Sequence, residues 1–270
     1  MEFFSTLQDI LTTKNPDEKI ANFQSFYKLY KKDKIVFNNK FKPIIFTSPS
    51  FSSICTIKDA TSMPKRSSLS TNKGKAYLVH SILHIEYSAI DLALDHAYRF
   101  QNMPKDFYDD WLRVADDEIR HFRILEEIIH SLGYRYGSFF VHSFLFDISQ
   151  KTLDLLTRMA VVPRYLEASG LDSSPQVIKK LKNIDDPFAK EIIKALKIIL
   201  EEEISHVRYG DKWFLWACKK EGVDKSKYFN IVEKILPGAK KKKSYVNITD
   251  RKKAGFSCEE ISVISDKKCK

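Results

Sequence analysis

The stretch DDEIRHFRILEEIIH, residues 116–130, carries the spacing Glu-x-x-His twice, as Glu118 with His121 and as Glu127 with His130. Residues three apart on an α-helix lie on one face, close enough for their side chains to share a ligand, so spacing alone does not separate the two pairs. Phase does. Trp111, Val114, Ala115, Phe122, Leu125, Ile128, Ile129 and Leu132 recur at the helical period and predict one buried stripe. Glu118 and His121 fall inside it. Glu127 and His130 each lie nine residues further on, which at about 100° per residue turns them to roughly the opposite, solvated face.

A third pair, Glu203 with His206 in KALKIILEEEISHVRYGDKWF, also falls in an apolar stripe, made by Leu196, Ile199, Leu200, Val207 and Phe214. With fifteen Glu and seven His in 270 residues, random placement predicts fewer than one such pair. Two inward acid–histidine pairs on two helices require a cause, because burying an ionised carboxylate without a partner costs several kcal/mol, roughly, or forces it to take up a proton.

The chain is long and apolar enough to bury a sizeable core, and one domain is the expected organisation. No run approaches a membrane span, and the amino terminus MEFFSTLQDILTTKNPDEK lacks the basic-then-apolar pattern of a secretory signal, which predicts a cytoplasmic protein with no membrane partner. Cys55, Cys218, Cys258 and Cys269 match no metal-ligand spacing and read as reduced thiols. The net charge of +10 is uneven. Residues 1–75 hold 13 basic and 6 acidic side chains, residues 237–270 hold 10 and 4, and residues 76–236 hold 22 and 25. The basic excess therefore belongs to the ends, above all to Lys240–Lys243, which reads as a solvated, mobile tail.

Two short helices are expected in the first thirty residues, the second capped by Asn15 with Pro16 in its first turn and carrying Ile20, Phe23, Tyr27 and Tyr30 along one side. From about Asp33 to Asn72, stretches such as KPIIFTSPSF predict an extended, irregular segment laid across a surface, without sheet. Long helices are then expected at about 75–100, 105–132, 145–169 and 187–220. Gly133 closes the second and Gly170 the third, and Asp186-Pro187 opens the fourth, after a shorter helix that follows Ser174-Pro175. The predicted fold class is all-α: a four-helix bundle over 76–222, a cover of short helices and extended chain over 1–75 that wraps it, and a basic tail over 223–270.

On these helices the inward acids form a pattern: Glu86 alone, Glu118 with His121, Glu167 alone, and Glu203 with His206. In ferritin-like carboxylate proteins a lone Glu on two helices and Glu-x-x-His on the other two hold a pair of iron or manganese ions. Four carboxylates balance two divalent cations, and oxygen with imidazole donors suits two Fe ions, or alternatively Mn or a mixed Mn/Fe pair. His80 and His84 precede Glu86 and are candidates to support the ligands from outside, as are Tyr209 and Gly210 after His206. Pro163 and Gly210 weaken their helices beside the proposed ions, which suggests a kink and a space for substrate or O2.

The segments HIEYSAIDLALD, FYDDWLRVADDEIRHF, TRMAVVPRYLEASGLD, EEEISHVRYG and the late AGFS resemble a ferritin-like family of uncharacterised bacterial proteins, domain of unknown function 455, from about residue 76 to 221 with a short piece near 255. The six proposed ligands match it position by position. That family is in turn distantly similar to the diiron tRNA hydroxylases that act on modified adenosine, and to other oxygen-activating carboxylate proteins. The resemblance implies a ferritin-like fold and a dimetal centre, and it implies no substrate. The lysine-rich carboxyl end departs from it.

The function expected is a diiron oxidoreductase that reduces O2 and hydroxylates or desaturates an unknown small molecule, with an electron-donor protein as partner and a homodimer as a candidate assembly. Two other readings stand beside it. One is a metal-binding or peroxide-scavenging protein without an organic substrate, and the other is a tRNA-modifying hydroxylase guided by the basic ends.

Overall fold

Local signals place most helix ends. Asn15 accepts from the N–H of Glu18 before Pro16, Asp186 accepts from Ala189 before Pro187, and Gly133 and Gly222 close their helices in the left-handed conformation, at φ 83° and 67°. A computed structural model describes residues 1–38, 40–64 and 68–269, and among them every regular element is helical. No helix among these residues is long and apolar enough to cross a membrane. The chain divides into two compact units, 1–146 and 147–270, a boundary that cuts through the expected helical core.

In the first unit, α1 (Phe3–Thr12) and α2 (Pro16–Tyr30) precede α3 (Asn72–Arg99) and α4 (Lys105–Ser131). The five residues between α3 and α4 force an antiparallel hairpin, in which His96 meets Trp111, Tyr87 meets Phe122, and Glu86 meets His121. The irregular segment before α3 lies along it: Ile44 N–H donates to the Tyr98 hydroxyl at 2.7 Å and Ser50 Oγ to Asp91 at 2.6 Å. Lys19 of α2 is fully buried, and its ammonium donates to Asp91, to Ser50 Oγ (2.9 Å) and to the Leu11 carbonyl (3.3 Å). One buried cation thus ties α1, α2, the irregular segment and α3 together.

In the second unit the expected third helix is broken twice and then runs on. It consists of α6 (Leu155–Val161), a π-helical turn (Val162–Glu167) and α7 (Ala168–Leu181), after α5 (Phe144–Lys151), within which the division between the units falls. Between α5 and α6, buried Arg158 donates to the carbonyls of Thr152 (2.8 Å) and Ser149 (2.7 Å), which satisfies the break. Gly170 does not end the helix, contrary to the expectation. Its φ is not left-handed, and a glycine inside a helix costs only about 1 kcal/mol against alanine. The expected short helix after Pro175 is the continuation of the same one.

α8 (Pro187–Glu221) packs against α6, the π turn and α7, and α9 (Tyr228–Ile235), α10 (Ile248–Lys253) and α11 (Cys258–Ile264) complete the unit. The lysine run is solvated at Lys240, Lys241 and Lys242, as expected, but it is tied down and not loose. Lys243 N–H donates to the Ile264 carbonyl at 2.8 Å, Lys243 Nζ reaches Asp172 at 3.0 Å, and Lys242 Nζ reaches the Ser265 carbonyl at 3.0 Å. Nor are all four cysteines reduced: Cys258 and Cys269 are joined in a disulfide, and Cys55 and Cys218 are buried thiols. An eleven-residue separation matches no motif, because that pairing depends on the chain turning back after α11.

Candidate metal centre

The apolar stripe of α4 carries Glu118 and His121 into the interior of the first unit, where both are fully buried. Glu86 of α3 is 4% exposed. His121 Nδ1 donates to Glu86 Oε2 at 3.1 Å and lies 3.4 Å from Glu118 Oε2. Each of the three residues offers a ligand atom within 4.8 Å of the others. Glu127 and His130, with the same spacing on the same helix, are exposed.

The charges explain what such a group can do. Burial raises the Glu86 carboxyl above its ordinary range, and the neighbouring Glu118 charge raises it further. For His121, burial alone lowers the pKa, but hydrogen bonds and attraction from Glu118 and Glu86 outweigh it and hold the imidazole protonated well above its usual range. A proton on Nδ1 thus sits where two carboxylates converge. Two carboxylate oxygens and an imidazole nitrogen, buried and aimed at one place, form a donor set that suits a divalent cation, which would take over that proton's role.

His84 faces elsewhere. Its Nδ1 pairs with the Tyr136 hydroxyl at 2.9 Å and its Nε2 with the His142 carbonyl at 3.0 Å, so it ties α3 to the chain after α4. His80 Nε2 accepts the Gly137 N–H at 3.0 Å and serves the same turn.

In the second unit, α8 carries Glu203 and His206, with His206 Nδ1 3.8 Å from Glu203 Oε2. His206 is fully buried, and the Glu203 side chain is 14% exposed. Glu167 closes the π turn and is half-buried, as is Tyr209. The expected space beside Gly210 is filled: a Cβ there would stand 2.7 Å from Pro163 Cβ and 3.0 Å from the Arg164 nitrogen. Gly210 allows close approach of α8 to the π turn and opens no cavity. The expected kink at Pro163 takes the form of the π turn, in which Leu166 is half-buried.

The sequence reading missed Arg164. Its side chain is 3% exposed, and its Nε donates to Asp211 at 2.7 Å while Nη2 donates to both oxygens of Glu260, at 2.9 and 3.0 Å. The available signal was an arginine at each end of the seven-residue buried run RMAVVPR, residues 158–164, since a charge in such a run must have partners.

A family model described as protein of unknown function (DUF455) matches residues 12–262. The chain is also 36% identical, over 282 aligned positions, to an uncharacterised protein of Haemophilus influenzae. The alignment covers 97% of this chain and 93% of that protein.

Proposed function

From the premise that this chain belongs to the DUF455 family of proteins of unknown function, we propose that it is a dimetal-carboxylate oxidoreductase of ferritin-like architecture. Glu86, Glu118 and His121 supply three donors, and Glu167, Glu203 and His206 supply the matching three. The observation that carries the reading is the buried triad of the first unit, in which one imidazole nitrogen faces carboxylates from two helices. The repetition of Glu-x-x-His on α8 supports a second metal, because four carboxylates balance two divalent charges. Iron bound by such donors supplies redox chemistry with O2, and six protein ligands on two ions leave positions for it.

The protein's own residues hold the donors dry and in place. α3 and α4 form a hairpin whose aromatic pairs fix the register of Glu86 against His121, and Gly210 sets α8 directly on the turn that ends in Glu167. Hydroxylation or desaturation of an organic substrate is the reaction class we propose. Anaerobic loading with Fe(II) followed by an O2 pulse tests it. The expected result is close to two irons per chain and O2 consumption in proportion to iron. A chain that takes up no iron, or one zinc alone, overturns it.

A further inference from the structure

The helix that ends its π turn at Glu167 is the most interrupted in the second unit, and its interruptions find partners in one later segment. Pro175 has no N–H, so the Leu171 carbonyl one turn earlier lacks its helical donor, and Asn247 Nδ2 donates to that carbonyl at 3.3 Å. Ala168, the first residue after the π turn, has its carbonyl bonded by Arg251 Nη2 at 3.0 Å. The Tyr165 hydroxyl, inside the turn, donates to the Ala239 carbonyl at 3.3 Å. Buried Asp172 receives Arg251 Nε and Nη2 at 2.9 and 2.7 Å and Lys243 Nζ at 3.0 Å. Arg164 reaches forward to Glu260, and its guanidinium lies over the rings of Tyr228 at 3.9 Å and Phe256 at 4.6 Å.

A π turn holds one residue more than an α turn, so the two registers point the residue that follows in directions about 100° apart. Which register the chain adopts is decided by what the turn touches. Arg164 lies three residues before Glu167 in that turn, and its two charge partners come from different elements, Asp211 from α8 and Glu260 from α11. We infer that residues 239–260 are a brace that sets the direction of Glu167, with Arg164 and Glu260 as its positioning pair. The inference rests on the reading of Glu167 as a metal donor. It gives the carboxyl-terminal segment a part in assembling the site, and it explains why Lys243, at the end of the lysine run, is turned onto the buried Asp172.

The test uses full-length protein loaded anaerobically with Co(II), whose visible absorption reports coordination, together with hydrogen exchange of the amides of residues 163–171. Glu260→Ala is expected to weaken one cobalt equivalent at least tenfold and to speed exchange in 163–171 while leaving α4 unchanged. Glu260→Gln, which keeps the shape and an acceptor for Arg164, is expected to recover part of the cobalt signal, and it serves if the alanine variant does not fold. Ser262→Ala removes an exposed hydroxyl of α11 that lies outside the brace and donates to the Glu259 carbonyl, and it is expected to keep the wild-type spectrum. A wild-type chain without a second cobalt overturns the metal reading, and with it the purpose of the brace. A wild-type chain with two, whose spectrum and exchange Glu260→Ala leaves unchanged, overturns the brace alone.

Discussion

A Cβ on Gly210 of α8 would stand 2.7 Å from the Cβ of Pro163 in the π turn. Side-chain carbons do not approach so closely, so the two helices pack at a distance that only glycine permits. The contact lies one turn beyond His206 and one turn before Glu167, which makes it a ruler for the distance between the two helices that carry these residues.

Gly210→Ala is therefore expected to destabilise the second unit. Alanine improves helix propensity by about 1 kcal/mol, but overpacking against a proline ring and backbone costs about 1–3 kcal/mol. Gly210→Val is expected to be worse. Urea unfolding measures both, and an alanine variant more stable than wild type refutes the close approach.

The buried ammonium of Lys19 makes a second prediction. Lys19→Ala leaves Asp91 and Ser50 without their common donor and opens a cavity, and it is expected to cost about 3 kcal/mol or more. Lys19→Met fills the volume but not the hydrogen bonds, and Asp91 keeps some contact with water at 21% exposure, so a smaller loss is expected. Unfolding of the first unit followed by near-ultraviolet circular dichroism separates the two. Equal losses show that packing alone matters there.

His80 gives the molecule a pH-dependent stability of known sign. Burial, aided by nearby His84, lowers its pKa to about 4, and its Nε2 must stay unprotonated to accept the Gly137 N–H. The unfolded chain has the ordinary value near 6.5, so between about 4 and 6.5 it binds more protons than the folded chain. Stability from this group is complete above that window and is lost as pH falls through it, by up to about 3 kcal/mol. His80→Gln is expected to flatten the slope of unfolding free energy between pH 4 and 6.5. A variant with the wild-type slope shows that His80 does not carry the effect.

What could be read from the sequence divides by the range of the interactions that decide it. Asn15-Pro16, Asp186-Pro187 and Gly133 act within a turn or two, and they place helix ends to within a residue or two. α4 runs unbroken, so counting by 3.6 separates Glu118 and His121, fully buried, from the exposed Glu127 and His130. The π turn, the passage of α7 through Gly170 and Pro175, and the pairing of Lys243 with Asp172 all depend on partners some 70 to 100 residues away, such as Asn247 for Leu171 and Glu260 for Arg164. No local pattern announces those partners. Lys240, Lys241 and Lys242 are exposed, as a lysine run predicts, and Lys243 alone of the four turns to the buried Asp172.

The two Glu-x-x-His pairs of α4 allow a controlled comparison. Glu118→Gln and His121→Ala each remove a donor from the buried triad, and each is expected to lower metal content by at least one ion per chain, because the donors that remain are too few to hold it. Glu118→Gln should do so with little loss of fold, since it removes a buried charge while keeping shape and polarity. Glu127→Gln and His130→Ala alter exposed side chains and are expected to change stability by within about 0.5 kcal/mol and metal content not at all. Spacing, residue types and helix are the same in both arms, and only the face differs. Elemental analysis after reconstitution with Fe(II) or Mn(II) reads the outcome. If the exposed pair proves necessary for metal and the buried pair does not, the donor set is misassigned and the dimetal reading falls with it.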